Sequence, residues 1–288
     1  MSYQSVFRSD LFTNKVVLVT GGGSGIGRCT AHELASLGAR VILAGRRQDA
    51  LDAVAAEIIE DGGAADTAAM DIRDEDLVRA SVARIVASHG PVHGLVNNAG
   101  GQFPSPLANI SAKGFRAVVD TNLTGGFLVA REVFNQSMKE SGGAIVNITA
   151  DCHNGMPMMG HSGAARSGME NFTRTAAVEW GAFGVRINAV APGWIASSGL
   201  DTYDDPGMRQ LLPRLKEAVP IKRLATEAEV SAGICFLLSD GAAFISGATL
   251  RIDAGGSLQS AFYPLPPARN VTTFQGFHRY RKPKALGD

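Results

Sequence analysis

Apolar positions recur along this chain at two different periods, and the switching between them divides it into repeating units. Short β-branched and aliphatic runs predict strands at Val16–Val19, Val41–Ala44, Ala68–Asp71, His93–Val96, Ala144–Ile148, Val185–Val190 and Thr249–Ile252. Between them, helical spacing covers Arg28–Leu37, Asp49–Asp61, Leu77–Ser88, a long stretch over Gly114–Lys139, His161–Phe183 and Glu227–Leu238. Alternation this regular predicts an α/β fold with one doubly wound parallel sheet, whose ligand cleft lies at the carboxyl ends of the strands. Two stretches break the rhythm. Pro206–Val219, bounded by Tyr203-Asp204-Asp205-Pro206-Gly207, reads as an insertion at 200–222 that is either a lid over substrate or a packed surface helix. From residue 257 the composition turns to Pro, Arg and aromatics, which predicts a tail lying on a neighbouring subunit or over the cleft. With no internal repeat and no second boundary, residues 1–288 read as a single domain.

The first strand breaks at Thr20 into a turn carrying Gly21, Gly22, Gly23, Gly25 and Gly27, with Ser24 and Ile26 between the last three. Such a turn lets the backbone approach a pyrophosphate while the following helix offers free N–H groups and a positive dipole. After the second strand, the acid that would bind the ribose 2′-hydroxyl of NAD is missing: Gly45 stands there, followed by Arg46 and Arg47, whose guanidinium forks suit the 2′-phosphate of NADP. NADP is therefore expected over NAD. Asp71-Ile72 lies where a carboxylate could accept from adenine, and Asn97-Asn98-Ala99-Gly100 reads as a turn lining the cofactor. Asn122 sits inside a predicted helix, where Asn is mildly unfavourable and usually has a polar task or a solvated face.

Lys+Arg and Asp+Glu balance at 27 each, so no global field attracts nucleic acid or an anionic membrane. A small-molecule substrate is the expected partner. Cys29, Cys152 and Cys235 lie too far apart for a disulfide framework. Met1–Lys15 shows no signal pattern and the chain's last residues carry no Ser-Lys-Leu address, so a cytoplasmic protein is expected. Cys152, His153 and His161 match no common metal spacing, and no metal is expected. Met156, Met158 and Met159 read either as adaptable lining for a flexible acyl or terpenoid chain or as core filling.

Thr20–Gly27, Asn97–Gly100, Asn122 within DTNLTG, and Pro192-Gly193 together resemble the short-chain dehydrogenase/reductase family over about Leu11–Leu258. That resemblance implies a Rossmann-type sheet of roughly seven strands, hydride transfer involving a nicotinamide, and a homotetramer or homodimer. It also implies that Ile195 and Ser197, within the family's Pro-Gly-x-x-x-Thr turn, contact the carboxamide and pyrophosphate. The departure from the family lies in its Tyr-x-x-x-Lys acid/base pair. Here Ser162 stands for the Tyr and Arg166 for the Lys, while the family's upstream Ser falls on Thr149 or Ala150. A serine hydroxyl is a poor replacement for a phenol, and arginine stays charged where lysine relays a proton.

The substitutions resemble those of the peroxisomal-type trans-2-enoyl-CoA reductases, through His161–Gly168 and Asn97–Pro106, and of the 2,4-dienoyl-CoA reductases. Bacterial proteins of citronellol and citronellal breakdown resemble the chain along its length. For reduction of a conjugated C=C the resemblance implies that Arg166 anchors the nicotinamide ribose, Ser162 donates to the carbonyl and Asn122 holds a water chain. His161, or else Asp151 or His153, supplies the proton. An alcohol or aldehyde dehydrogenase of terpenoid catabolism is the alternative enzyme; a nucleotide-binding protein without catalysis is the alternative of another class.

Overall fold

The computed structural model describes residues 2–203, 206–260 and 262–287; Asp204 and Asp205, at the expected edge of the insertion, lie outside them. Seven strands form one parallel sheet: β1 (Val16–Thr20), β2 (Arg40–Gly45), β3 (Ala64–Ala69), β4 (Gly94–Asn97), β5 (Gly143–Ile148), β6 (Val185–Pro192) and β7 (Thr249–Ile252). Their order is β3-β2-β1-β4-β5-β6-β7, with Leu18 of β1 facing Ile42 on one side and Leu95 on the other. The order reverses between β1 and β4, so the helices that follow these two strands run to opposite faces and leave a crevice at the sheet's carboxyl edge.

Helices cover both faces because the central strands are apolar on both. On one face α1 (Gly25–Ser36), α2 (Gln48–Glu60) and α9 (Glu227–Leu238) place Leu34, Ile58 and Ile234 on the sheet. On the other, α3 (Glu75–His89), α5 (Gly125–Val133) and α7 (Gly160–Trp180) place Val82, Val133 and Trp180 there. Each such side chain removed from water stabilises the fold by about 1.5–3 kcal/mol. Local signals fix where helices start. Asp74 accepts from Leu77 N at 3.0 Å at the head of α3, and Thr226 and Glu229 cap α9 reciprocally at 3.1 and 2.9 Å.

Two elements differ from the expectation. The third strand is Ala64–Ala69 rather than Ala68–Asp71. Its residues, AADTAA, carry little hydrophobic signal, and on this edge strand the pairing of Arg40 with Ala64 through Gly45 with Ala69 decides its extent. Asp71 consequently lies beyond the strand. The region expected as one helix over Gly114–Lys139 is α4 (Ala112–Val119), a π-helical turn at Asp120–Thr124, α5, a second π-helical turn at Phe134–Met138 and α6 (Lys139–Ser141). A π turn inserts one residue and re-aims side chains, and the first of them buries Asn122.

After β6 the chain forms a 3-10 turn at Ser198–Thr202, α8 (Pro206–Leu211) and a further 3-10 segment at Leu212–Ala218. Leu200, Tyr203, Leu212 and Leu215 form an apolar cluster with Met159, joined by Met156, while Met158 is exposed. The tail folds back on the same chain. Gln4 N donates to Gly276 O at 2.9 Å, Phe277 is buried beside Tyr3 and His32, and Arg28 lies 4.9 Å over the Phe277 ring. Arg279 pairs with Asp61 at 2.7 Å, and Ala285 N donates to Asp201 at 2.9 Å, bringing Leu286 onto the apolar cluster. No helix among the described residues is long and apolar enough to cross a membrane.

Candidate active site

The glycine turn after β1 is held by the turn after β4. Thr20 Oγ1 accepts from Asn98 N and Ala99 N, both at 3.0 Å, and the Asn98 carboxamide donates to Thr20 O at 3.0 Å and Gly21 O at 3.3 Å. Gly21 and Gly25 adopt φ of +67° and +55°, a region L side chains avoid. A Cβ at Gly27 would lie 2.5 Å from Asn98 Nδ2 and closer still to Gly21 O, so only glycine lets α1 start this near the turn. The first-turn N–H groups of α1 receive no cap from the Ser24 side chain. Ile26 packs on the core beneath them.

A cleft of about 300 Å³ opens in front of this turn, lined by Gly21, Gly23, Ser24, Gly45, Arg46, Arg47, Asp71, Ile72, Arg73, Ala99, Gly100 and Thr121. Neither Arg46 nor Arg47 forms an ion pair among the described residues, and both are exposed. Asp71 is chelated by Arg73, with Nε at 2.9 Å and Nη2 at 2.5 Å, and these bonds hold its carboxyl down at about 2. Free N–H groups at a helix start, a cradle that one methyl group would fill, and the exposed guanidinium groups of Arg46 and Arg47 at one cleft fit the diphosphate of a dinucleotide.

The turn after β6 reaches the same crevice. Gly193 N donates to Ile252 O at 3.0 Å, following Pro192. Ile195 is buried and pairs with Ala225, so it is held by its backbone as well as its side chain. Beyond Ser197, Ser198 Oγ stands 3.7 Å from where a Cβ on Gly25 would lie, and the Glu227 carboxylate stands 3.9 Å from that point. Burial pushes the Glu227 carboxyl up to about 7, against the pull of the nearby Arg28. The folded protein thus binds a proton there that the unfolded chain, near 4.5, releases. This contribution to stability is complete below pH 4.5 and disappears as pH rises through 7. Glu227→Gln is expected to unfold later than the wild type at pH 8, by about 1–3 kcal/mol, with the advantage vanishing at pH 4.5. Urea unfolding at the two pH values checks it; an equal shift at both would refute it.

The other residues expected at the site lie along the loop after β4, from Gly100 to Phe103. Arg166, on α7, donates to Ile148 O at 2.6 Å, and burial lowers its guanidinium to about 10. A Cβ on Gly100 would lie 2.5 Å from Arg166 Nη2 and 2.8 Å from Asn122 Oδ1, so the loop after β4 presses on both. Asn122 clamps that loop: Gly101 N donates to its Oδ1 at 2.9 Å and its Nδ2 donates to Gly101 O at 2.8 Å. Ser162 is fully buried, and its hydroxyl donates to Gln102 Oε1 at 2.6 Å. His161 is also fully buried. Its Nδ1 accepts from Ser162 N at 2.9 Å, capping the start of α7, and its Nε2, without a partner among the described residues, lies by the Phe103 ring, 4.4 Å between centroids.

Of the two positions expected for the family's upstream serine, Thr149 commits its hydroxyl to Val190 O at 3.2 Å. Asp151 is half-buried, its carboxyl raised first by burial and then by Asp253, and His153 is exposed. Among the described residues no three metal-ligating side chains converge. Arg73 and Tyr203 carry no sequence motif that singles them out, and Gln102, inside the Asn97–Pro106 stretch that carries the resemblance, has no role of its own there. Only the third arginine near Asp71 hints at Arg73, and only the polar position within NNAGGQF hints at Gln102.

The match with known proteins follows this geometry. Residues 21–257 match the family model described as enoyl-(acyl carrier protein) reductase. The chain is 32% identical over 262 residues to the peroxisomal 2,4-dienoyl-CoA reductase of Danio rerio, covering 90% of this chain and 87% of that protein. It is similar to the solved citronellol catabolism dehydrogenase AtuB of Pseudomonas aeruginosa PAO1, with TM-score 0.80 and 62% identity, covering 88% of this chain and all (100%) of that one. It is also similar, at TM-score 0.81 and 29% identity over 88% of this chain and 100% of the other, to a Beutenbergia cavernae dehydrogenase solved with NADP bound at low occupancy. A parallel seven-stranded sheet, a glycine turn locked by Asn98, and this match over most of the chain make the protein an oxidoreductase of the short-chain dehydrogenase/reductase family, which binds a nicotinamide cofactor.

Proposed function

We propose that the protein is an NADP(H)-dependent reductase of the conjugated C=C bond of a 2-enoyl-CoA type thioester. The observation that carries this reading is the site beside Gly100. Where carbonyl-reducing members of the family have a phenol, a buried Ser162 hydroxyl stands, and a fixed guanidinium replaces the amine. Bound across the carboxyl edge, the reduced coenzyme would supply hydride to Cβ. The chain's own residues then have a lighter task than in ketone reduction: they hold enolate charge on the thioester oxygen and deliver one proton to Cα. Ser162 is the donor to that oxygen, Arg166 anchors the ribose side of the cleft, and His161 supplies the proton. The similarity to proteins named 2,4-dienoyl-CoA reductase supports the reading.

The 62% identity to a citronellol catabolism dehydrogenase favours a second one, oxidation or reduction of an acyclic terpenoid alcohol or aldehyde. NADPH oxidation followed spectroscopically with crotonyl-CoA, decenoyl-CoA and citronellal decides between them. Turnover of a CoA ester supports the first; turnover of citronellal alone replaces it with the second. Tight NADPH binding with no turnover of any of the three points to a binding protein without catalysis.

The same reading places the enzyme in the cytoplasm as a homotetramer or homodimer, consistent with three free cysteines and with exposed Val178 and Phe244. Coenzyme choice has its own test. Each charge-assisted hydrogen bond to a phosphate is worth about 1.5–3 kcal/mol. Arg46→Ala/Arg47→Ala is expected to weaken NADPH binding about a hundredfold or more and to leave NADH within about threefold, as read by calorimetry. Equal losses for both coenzymes would refute the assignment.

A further inference from the structure

A polar bridge ties the segment after β6 to the site. Gln102 Nε2 donates to the Tyr203 hydroxyl at 2.9 Å, while Gln102 Oε1 accepts from Ser162 at 2.6 Å. Both ends are buried, and the Tyr203 ring belongs to the apolar cluster of Leu200, Leu212, Leu215 and Met159. Gln102 itself lies in the irregular stretch between β4 and the 3-10 turn at Leu107–Asn109, with no regular structure to orient its carboxamide. Its two bonds, one to α7 and one to Tyr203, do that instead.

A serine hydroxyl has a single proton and rotates about its Cβ–Oγ bond, so its use at a site depends on what holds it. We propose that Tyr203 is a positioning residue: its hydroxyl fixes the Gln102 carboxamide, and the carboxamide fixes the direction of the Ser162 hydroxyl. This rests on the reading in which Ser162 meets the substrate carbonyl. A carboxamide oxygen is a better acceptor than a ground-state thioester carbonyl, and an enolate oxygen, carrying charge, is better still. The Ser162 proton therefore stays on Gln102 while substrate binds and turns to the substrate oxygen as charge develops. An interaction made only then acts on kcat and leaves KM nearly unchanged. The bridge also makes the site complete only when the segment carrying Tyr203 is packed down, and it links the tail to the chemistry through Leu286, which packs on the same cluster.

Tyr203→Phe keeps the ring and its packing and removes the hydroxyl alone. With whichever of the three substrates is reduced, kcat is expected to fall about tenfold with KM within about twofold. Because the group being aimed is then missing, the Ser162→Ala/Tyr203→Phe double variant is expected to be no slower than Ser162→Ala. Wild-type kcat in Tyr203→Phe, or losses that simply multiply in the double variant, overturns the proposal. If none of the substrates is reduced, the proposed function fails, and the bridge is judged by NMR of protein carrying 15N-glutamine. The Gln102 side-chain amide signals, identified by their disappearance in Gln102→Met, are expected to shift in both Tyr203→Phe and Ser162→Ala. Signals unmoved in either variant overturn the proposal without reference to activity.

Discussion

Replacing Gly27 with Ala is expected to abolish coenzyme binding at any practical concentration, a loss of more than about a hundredfold for NADPH and NADH alike. The added methyl group would overlap the Gly21 carbonyl and stand 2.5 Å from Asn98 Nδ2. Neither neighbour is the free end of a flexible side chain. The carbonyl belongs to the turn itself, and the Asn98 carboxamide is the clasp that joins this turn to β4. Relief therefore requires α1 to move away from the turn, which takes its first-turn N–H groups out of register with a bound diphosphate. Overpacking of this kind also costs about 1–3 kcal/mol of stability. Gly181→Ala is the control: nothing lies within 4 Å of its Cβ, and binding and stability are expected to stay at wild-type levels. Calorimetric titration with both coenzymes and a urea unfolding curve test the pair. Micromolar NADPH binding by Gly27→Ala would show that the diphosphate lies elsewhere.

Arg166→Met is expected to lower kcat/KM about a hundredfold while leaving stability unchanged or raised. The catalytic loss follows from removing the fixed cation beside Gly100 that anchors the ribose side of the cleft in the proposed function, since a misplacement of about 1 Å costs about a hundredfold in rate. The stability effect has the opposite sign because the folded state disfavours this charge. Burial lowers the guanidinium from its ordinary value to about 10, and its Nε finds no partner among the described residues. A group whose cation is disfavoured on folding costs stability at every pH below its folded value, and an apolar side chain of similar length relieves that cost. Arg166→Lys keeps the charge, but a single ammonium is too short to reach Ile148 O as the guanidinium does while also facing Gly100, so an intermediate loss is expected. Steady-state kinetics together with melting temperature check the contrast. A Met variant that loses stability in step with activity would mean that Arg166 is a structural residue.

Much of this protein is legible in its residues. Strand and helix periodicity and the breaks at glycine are local, and they lead to an alternating parallel sheet without tertiary information. The glycine turn is legible for the same reason, since a positive φ and a close approach exclude other residues within a few positions. Where hydrophobic contrast is weak, as in AADTAA at the sheet edge, pairing with a neighbour decides the strand instead. The π-helical turn at Asn122 escapes periodicity because one inserted residue scarcely alters a pattern of 3.6.

The limits of sequence reading are sharpest at the centre of the site. The family resemblance singles out Ser162, Arg166 and Asn122 as expected site residues, but whether a hydroxyl donates or accepts depends on a partner far along the chain. Ser162 finds Gln102, 60 positions away, and Gln102 finds Tyr203, 101 positions away. Likewise nothing local in Phe277 shows that it turns back to cover α1. Periodicity and backbone restriction act over a few residues and are written directly in the chain. Side-chain direction, burial and charge are set by groups that meet only once the sheet has closed, and these were decided by the folded structure.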